Sequence, residues 1–126
     1  MRSILRFAAA LLLSACAATA PAVAPGAPQA GPPPANRVAA LLAQAGRADA
    51  PTREAIERVI GAADITRQDG VGVALTYRLE HCALLLLFAT DAQNAMRLRE
   101  AHPSARRTGE AAPSLDQCAA EAGARS

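Results

Sequence analysis

Hydrophobic residues recur at helical spacing in two short segments in the first half of the chain. In the first segment, apolar residues stand three or four positions apart, between Asn36 as a possible N-cap and Gly46 just past the end. These apolar residues are Val38, Leu41, Leu42 and Ala45. The second segment is Arg53–Ile60, with Thr52 placed to cap it and Gly61 to stop it. The spacing predicts two short helices.

An alternating pattern follows and predicts strands. Ile65–Gln68 is one candidate strand, and Asp69-Gly70-Val71-Gly72 is typical of a tight turn. Beyond the turn, apolar residues alternate with Ala74, Thr76 and Arg78, which is the pattern of a strand buried on one face. These apolar residues are Val73, Leu75, Tyr77 and Leu79.

The next segments predict two more strands and a loop. Cys82–Phe88 is a nearly continuous apolar run that follows the short connection Glu80-His81, and it predicts a central strand covered on both faces. Met96 and Leu98 alternate with arginines in a further strand. Residues 102–113 are expected to form an irregular loop.

The last element is a helix whose start is marked by a capping box of Ser114 and Gln117. Its apolar face consists of Leu115, Cys118, Ala119 and Ala122. Gly123 is expected to end the helix, which leaves residues 124–126 as a tail. Together the elements predict an α+β domain over residues 36–123. It has two short N-terminal helices, an antiparallel meander of three to four strands, and a C-terminal helix.

The start of the chain has the layout of an export signal. Two arginines precede an apolar stretch at Phe7–Leu13, and small residues follow it. The sequence Leu13-Ser14-Ala15-Cys16 resembles the lipobox of bacterial lipoproteins, whose signal is removed just before the cysteine. The resemblance implies a signal peptide over residues 1–15 and a lipid on Cys16.

Two alternatives to lipidation stay open. Cleavage after Ala20 satisfies the small-residue rule and would leave a soluble periplasmic protein that begins at Pro21. A retained transmembrane helix needs about 20 apolar residues, and prolines interrupt the segment before that length. The residue after the lipobox cysteine is Ala17 and not aspartate. In this position the sequence resembles many Gram-negative lipoproteins of the outer membrane.

Composition bounds the rest of the N-terminal region and excludes one class of partner. Residues 16–35 are rich in proline and alanine and carry no charge, so they are expected to form an extended spacer behind the lipid. Arg2 and Arg6 account for the formal net charge of +2. The remaining chain is therefore near neutral, and it has only Tyr77 and Phe88 as aromatic residues. It lacks the basic surface and the stacking side chains of a nucleic-acid-binding protein.

The cysteine count predicts one disulfide. If Cys16 carries a lipid, Cys82 and Cys118 remain, and an even number of cysteines in an oxidising compartment favours a pair. In the chain-entropy description, an unstrained bridge over this loop length stabilises the fold by about 3–4 kcal/mol. Two free thiols in a metal or catalytic site are the alternative.

The candidates for catalysis are few. His81 and Cys82 are adjacent, but neighbouring strand residues point to opposite faces, which is a poor arrangement for a nucleophile and its base. Glu54 and Glu57 belong to the solvated face of a helix that also carries arginines. Four side chains could nominally serve as zinc ligands, but they lack the close paired spacing of known zinc sites. Those four are His81, Cys82, His102 and Cys118. We expect no catalytic activity and no cofactor.

Three arginines on predicted strands suggest a partner surface. Arg78, Arg97 and Arg99 would share the polar face of the sheet if their strands were neighbours. They could then contact anionic headgroups or an acidic partner. The alternative is that these outward charges discourage pairing between sheet edges.

The segment Thr52–Phe88 resembles small proteobacterial lipoproteins of the outer-membrane assembly type, the BamE (SmpA/OmlA) family. The resemblance rests on the capped helix, the turn and the apolar strand through Phe88. Its residues are Thr52, Ile56, Val59, Ile60, Gly61, Arg67, Asp69, Gly70 and Tyr77. The strand cysteine and a second one near the C-terminus resemble uncharacterised relatives with this hairpin. The resemblance implies a domain of two helices and three strands.

These observations predict a lipid-anchored, non-catalytic protein on the periplasmic face of the outer membrane. Its expected role is that of an interaction or assembly accessory with a protein partner, held to the membrane by its N-terminal lipid. An inhibitory or ligand-binding periplasmic module is the alternative.

Overall fold

The computed structural model describes residues 34–125. The predicted signal peptide and the predicted lipidation site Cys16 therefore lie outside the described residues. So does the proposed spacer, except for Pro34 and Ala35 at its end.

Three helices and four strands follow one another along the chain. The elements are α1 (Pro34–Leu42), α2 (Arg53–Ile60), β1 (Ile65–Asp69), β2 (Gly72–Arg78), β3 (Cys82–Thr90), β4 (Met96–Ala105) and α3 (Leu115–Arg125). The strands form one antiparallel sheet in the order β1-β2-β3-β4. This confirms the predicted α+β fold with a four-strand meander and a C-terminal helix that a cysteine pair joins to the sheet.

Helix α2 begins and ends at the predicted residues. The Thr52 side chain accepts a hydrogen bond from the Ala55 N–H at 3.3 Å, which satisfies one of the free donors of the first turn. Gly61 follows the last turn with φ 94°, and its N–H donates to the Glu57 carbonyl at 2.8 Å. Ile56 is buried on the face that this arrangement presents to the core.

A two-residue turn joins β1 to β2. Asp69 pairs with Gly72, and Gly70 has φ 58° while Val71 keeps a negative φ. Glycine at the first central position is characteristic of a type II′ turn, whose twist matches that of the strands. The alternating burial of β2 starts immediately after this turn, so the turn fixes which residues face the core.

All three helices contribute to one hydrophobic core on a single face of the sheet. The helical members include Val38, Leu42, Ile56, Ile60, Cys118, Ala119 and Ala122. The strand members include Val73, Leu75, Tyr77, Cys82, Leu84, Leu86, Phe88 and Leu98. The intervening residues of β3 are only partly buried. The prediction that this strand is covered on both faces is therefore wrong, because no helix packs on its second face within residues 34–125.

Helix α1 begins before the predicted N-cap. The helix starts at Pro34, so Asn36 lies inside it and does not cap it. Proline suits the first turn of a helix because the N–H it lacks has no intrahelical partner there.

Strand β4 continues through residues that were expected to form a loop. His102–Ala105 belong to the strand, and Pro103 is tolerated because β4 lies at the edge of the sheet. An irregularity in the register at Leu87/Phe88 also disturbs the alternation, so that Leu98 and Ala101 both contact the core.

Helix α3 extends past Gly123 to Arg125, so Ala124 and Arg125 belong to the helix and not to a tail. Gly123 is buried beside Ala119 and Ala122, and these small residues let α3 pack on α1.

Candidate functional site

The two cysteines outside the N-terminal region lie at disulfide distance. Cys82 on β3 and Cys118 on α3 have Cα atoms 5.7 Å apart, and both residues are buried. Their pairing removes both thiols from any nucleophile or zinc site. Within residues 34–125, no three His, Cys, Asp or Glu side chains are grouped so as to hold a metal ion.

The two histidines lie apart, each beside a glutamate. His81 Nδ1 is 3.0 Å from Glu121 Oε1, and the His81 N–H donates to Glu121 Oε2 at 3.1 Å. This contact ties the β2–β3 turn to α3. On the edge strand, His102 Nε2 is 2.6 Å from Glu100 Oε2. Within residues 34–125, the side-chain hydrogen-bond partner of each histidine ring is a glutamate.

The remaining candidate side chains have structural partners. The Ser104 hydroxyl donates to the Ala83 carbonyl at 3.2 Å. Ser114 and Gln117 form the predicted capping box, with hydrogen bonds of 2.9 and 3.2 Å. Glu57 pairs with Arg53 at 3.2 Å on α2.

The structure does not bring the three arginines of the predicted partner surface together. Strand β3 separates β2, which carries Arg78, from β4, which carries the other two. Arg78 is opposite Ala83 and Arg97 is opposite Ala89. Six residues along a strand correspond to about 20 Å, so Arg78 lies at the other end of the sheet.

Arg97 has a structural role in the described domain. Its guanidinium donates to the Asp91 carboxylate and, at 2.8 Å, to the Ala50 carbonyl. The backbone N–H of Ala95 and then Arg97 hold the pKa of Asp91 below its usual range. Arg97 thereby joins the β3–β4 turn to the segment before α2.

A polar cluster that sequence reasoning missed joins the ends of α2, β2 and α3. Arg125 donates to both carboxylate oxygens of Asp64, at 2.6 and 3.1 Å, and its guanidinium lies 5.5 Å from the centre of the Tyr77 ring. The Tyr77 hydroxyl donates to the Gly61 carbonyl at 2.9 Å, and burial raises the pKa of Tyr77 to about 12. Asp64 and Arg125 are 61 positions apart, so no local pattern could have paired them.

The face of the sheet opposite the helices has no helix packed on it within residues 34–125. We call it the open sheet face. The register places four rows of residues across it, three of them from β1 to β4 and one from β2 to β4. These rows are Arg78-Ala83-Ser104, Ile65-Thr76-Leu85-His102, Arg67-Ala74-Leu87-Glu100 and Asp69-Gly72-Ala89-Arg97.

Aliphatic and small side chains occupy the middle of the open sheet face, and charged side chains occupy its margins. Leu85 and Leu87 on β3 are partly buried, with Thr76 and Ala74 beside them on β2. Arg67 and Arg78 are exposed at the margin. Such a surface can bind another macromolecule, and it contains no paired nucleophile and base.

Two shallow grooves flank Glu121, and Arg78 at the margin of the open sheet face also lines the first of them. One has a volume of about 310 Å³ between the β2–β3 turn and the end of α3, and the other has about 600 Å³ beside the loop before α3. Glu121 lines both grooves and is bound to His81, while Arg125 lines the first groove and is bound to Asp64. The grooves are therefore weaker candidates for a binding site than the open sheet face, because charged side chains that line them already have partners within the domain.

Comparison of the chain with protein-family models, with curated proteins and with solved structures finds no match. In the part of the chain that the structure describes, no helix has both the length and the apolar character needed to cross a membrane.

Proposed function

We propose that the protein is a lipid-anchored, non-catalytic interaction or assembly accessory at the periplasmic face of the outer membrane. In this proposal the open sheet face binds a protein partner. The observation that carries it is the aliphatic centre of that face, which all three helices leave uncovered.

The composition of the open sheet face supports a protein partner of a particular kind. Leu85 and Leu87 would lose their remaining contact with water on binding, which favours association. Arg67 and Arg78 at the β1–β2 margin favour a partner whose apolar contact surface is bordered by acidic side chains.

The sequence of the N-terminal region supports the anchor. The lipobox-like Leu13-Ser14-Ala15-Cys16 would place a lipid on Cys16, and residues 17–35 would separate that lipid from the domain. An extended proline-rich segment covers about 3.1 Å per residue, so the domain could reach roughly 60 Å from the membrane. That reach suits a protein that must meet a partner in the periplasm.

The anchor is tested by the intact mass of the protein purified from membranes. We expect an N-terminus at Cys16 that carries the added mass of the lipid, and we expect Cys16→Ala to move the protein out of the membrane fraction. An unmodified N-terminus at Pro21 would contradict the anchor.

The partner surface is tested with a photocrosslinking amino acid at position 85 of the full-length protein in cells. We expect an adduct with a second protein that Arg78→Glu reduces several-fold, since it replaces a favourable charge at the interface by a repulsive one. Arg58→Glu on the exposed face of α2 is the matched control and should leave the adduct unchanged. Equal adducts in all three proteins would reject the open sheet face as the contact surface.

A further inference from the structure

The two edges of the sheet differ in how they are covered. Near the start of β4, the segment before α2 supplies backbone partners: Leu98 accepts from the Gly46 N–H at 3.1 Å and donates to the Pro51 carbonyl at 2.9 Å. Thr52 also forms a bridge with Arg97. Strand β1 pairs with β2 on one side, and within residues 34–125 no segment pairs with its other side. The outer edge of β1 is therefore open.

The side chains of β1 leave that edge accessible. All its residues except Ile65 are exposed, and the core ends at β2. Thr66 and Gln68 face the helix side, while Ile65, Arg67 and Asp69 face the open side, because side chains alternate along a strand. An open row of backbone donors and acceptors is a template for another strand.

A second copy of β1 can add to this edge in few registers. When two antiparallel strands pair about a twofold axis, each residue faces a residue whose side chain is on the same face of the sheet. Because side chains alternate between faces along a strand, this condition requires that one residue lies on the axis and faces its own counterpart. With Arg67 on the axis, two arginines would face each other, which is unfavourable. With Thr66 on the axis, Arg67 would face Ile65 and its charge would have no counterpart.

With Gln68 on the axis, the two strands become complementary. Arg67 then faces Asp69 of the partner subunit, and the same pair repeats on the other side of the axis. Of these three registers, this one alone places opposite charges against each other on both sides of the axis.

We propose that two copies of the chain associate through antiparallel pairing of their β1 strands, with Gln68 on the twofold axis. The two four-stranded sheets then form one continuous sheet of eight strands. This association does not depend on the lipid anchor or on the partner of the open sheet face, and it leaves Leu85 and Leu87 at the centre of that face uncovered.

The first test uses Gln68→Cys in the full-length chain, followed by mild oxidation and a non-reducing gel. A cysteine on the axis meets its own counterpart, so we expect a covalent dimer that reductant reverses. Arg58→Cys, at an exposed position on α2, is the matched control and should stay monomeric. Equal dimer from both variants, or a crosslink from position 68 only to a different protein, would overturn the proposal.

The second test changes the charges in the Gln68→Cys background. Arg67→Asp alone and Asp69→Arg alone each place like charges opposite one another twice, and we expect each to lower dimer yield roughly tenfold. The double exchange, Arg67→Asp with Asp69→Arg, should restore it. Mixing the two single variants should also restore dimer, as a heterodimer with both pairs attractive. An unchanged dimer yield in all of these variants would reject the register.

Discussion

Asp64 connects three parts of the chain through one carboxylate. It accepts hydrogen bonds from the Arg125 guanidinium and, at 2.6 Å, from the backbone N–H of Arg78. The Arg125 hydrogen bond is the main reason that the pKa of Asp64 lies below its usual value of 3.8, and the Arg78 N–H is the second. The ionised form of Asp64 therefore stabilises the contact between α3, β2 and the start of β1.

Removing the Asp64 charge should weaken the fold in a pH-dependent way. We expect Asp64→Asn to lower the free energy of unfolding by about 0.5–1 kcal/mol at pH 7, the range for a partly exposed ion pair. Because the pKa is lower in the folded state, the contribution of the wild-type carboxylate is present above pH 3.8 and is lost as the pH falls through the folded-state pKa.

Urea unfolding of the wild type and of Asp64→Asn between pH 2.5 and 7 checks this expectation. The two proteins should converge at the acid end, where both side chains are neutral. Asp49→Asn is the control, since the Asp49 side chain is 69% exposed in its pair with Arg47 and should matter little. A stability difference that stays constant across this range would show that the charge is not responsible.

Among the elements, α2 depends most clearly on a single residue. The Thr52 hydroxyl accepts the Ala55 N–H, and the helix has only eight residues, so it has little stability of its own. We expect Thr52→Ala to lower the free energy of unfolding by about 1 kcal/mol and Thr52→Ser to restore most of it. Equilibrium unfolding in urea measures both variants; equal losses from Ala and Ser would show that the hydroxyl does not cap the helix.

The elements that the sequence predicted well are those with local signals. Thr52 and Gly61 mark the ends of α2, and the turn at Asp69-Gly70-Val71-Gly72 sets the alternation of β2. The elements predicted less well depend on distant contacts. Pro103 is compatible with β4 only because that strand is at an edge, and Gly123 continues α3 because small residues pack there against α1.

The candidate surface could be predicted only in part, for the same physical reason. The apolar run through Leu85 and Leu87 was evident, but the number of helices that cover it depends on where α1, α2 and α3 pack. Arg78 was identified, whereas its separation from Arg97 follows from the strand order. The residues of the open sheet face could therefore be identified from the sequence, but the helix packing that leaves this face uncovered could not.

At the scale of the whole molecule, the cysteine pair closes the fold. Cys82 starts β3, Cys118 lies in the second turn of α3, and 36 positions separate them along the chain. The pair therefore encloses β3, β4 and the loop before α3. The core has Tyr77 and Phe88 as its only aromatic residues within the described domain, so a covalent link should supply a large share of the net stability.

Replacing both cysteines should accordingly be strongly destabilising. We expect Cys82→Ala with Cys118→Ala to lower the free energy of unfolding by about 3–4 kcal/mol, because the bridge restricts the unfolded chain over this loop. Reductant should destabilise the wild type by a similar amount and leave the double variant unaffected, which separates loss of the bridge from loss of packing. The wild type should also yield one crosslinked peptide pair in non-reducing mapping. Full thiol labelling of both residues in the unreduced, denatured protein would show instead that the cysteines are free, and the stability of the domain would then have to come from packing alone.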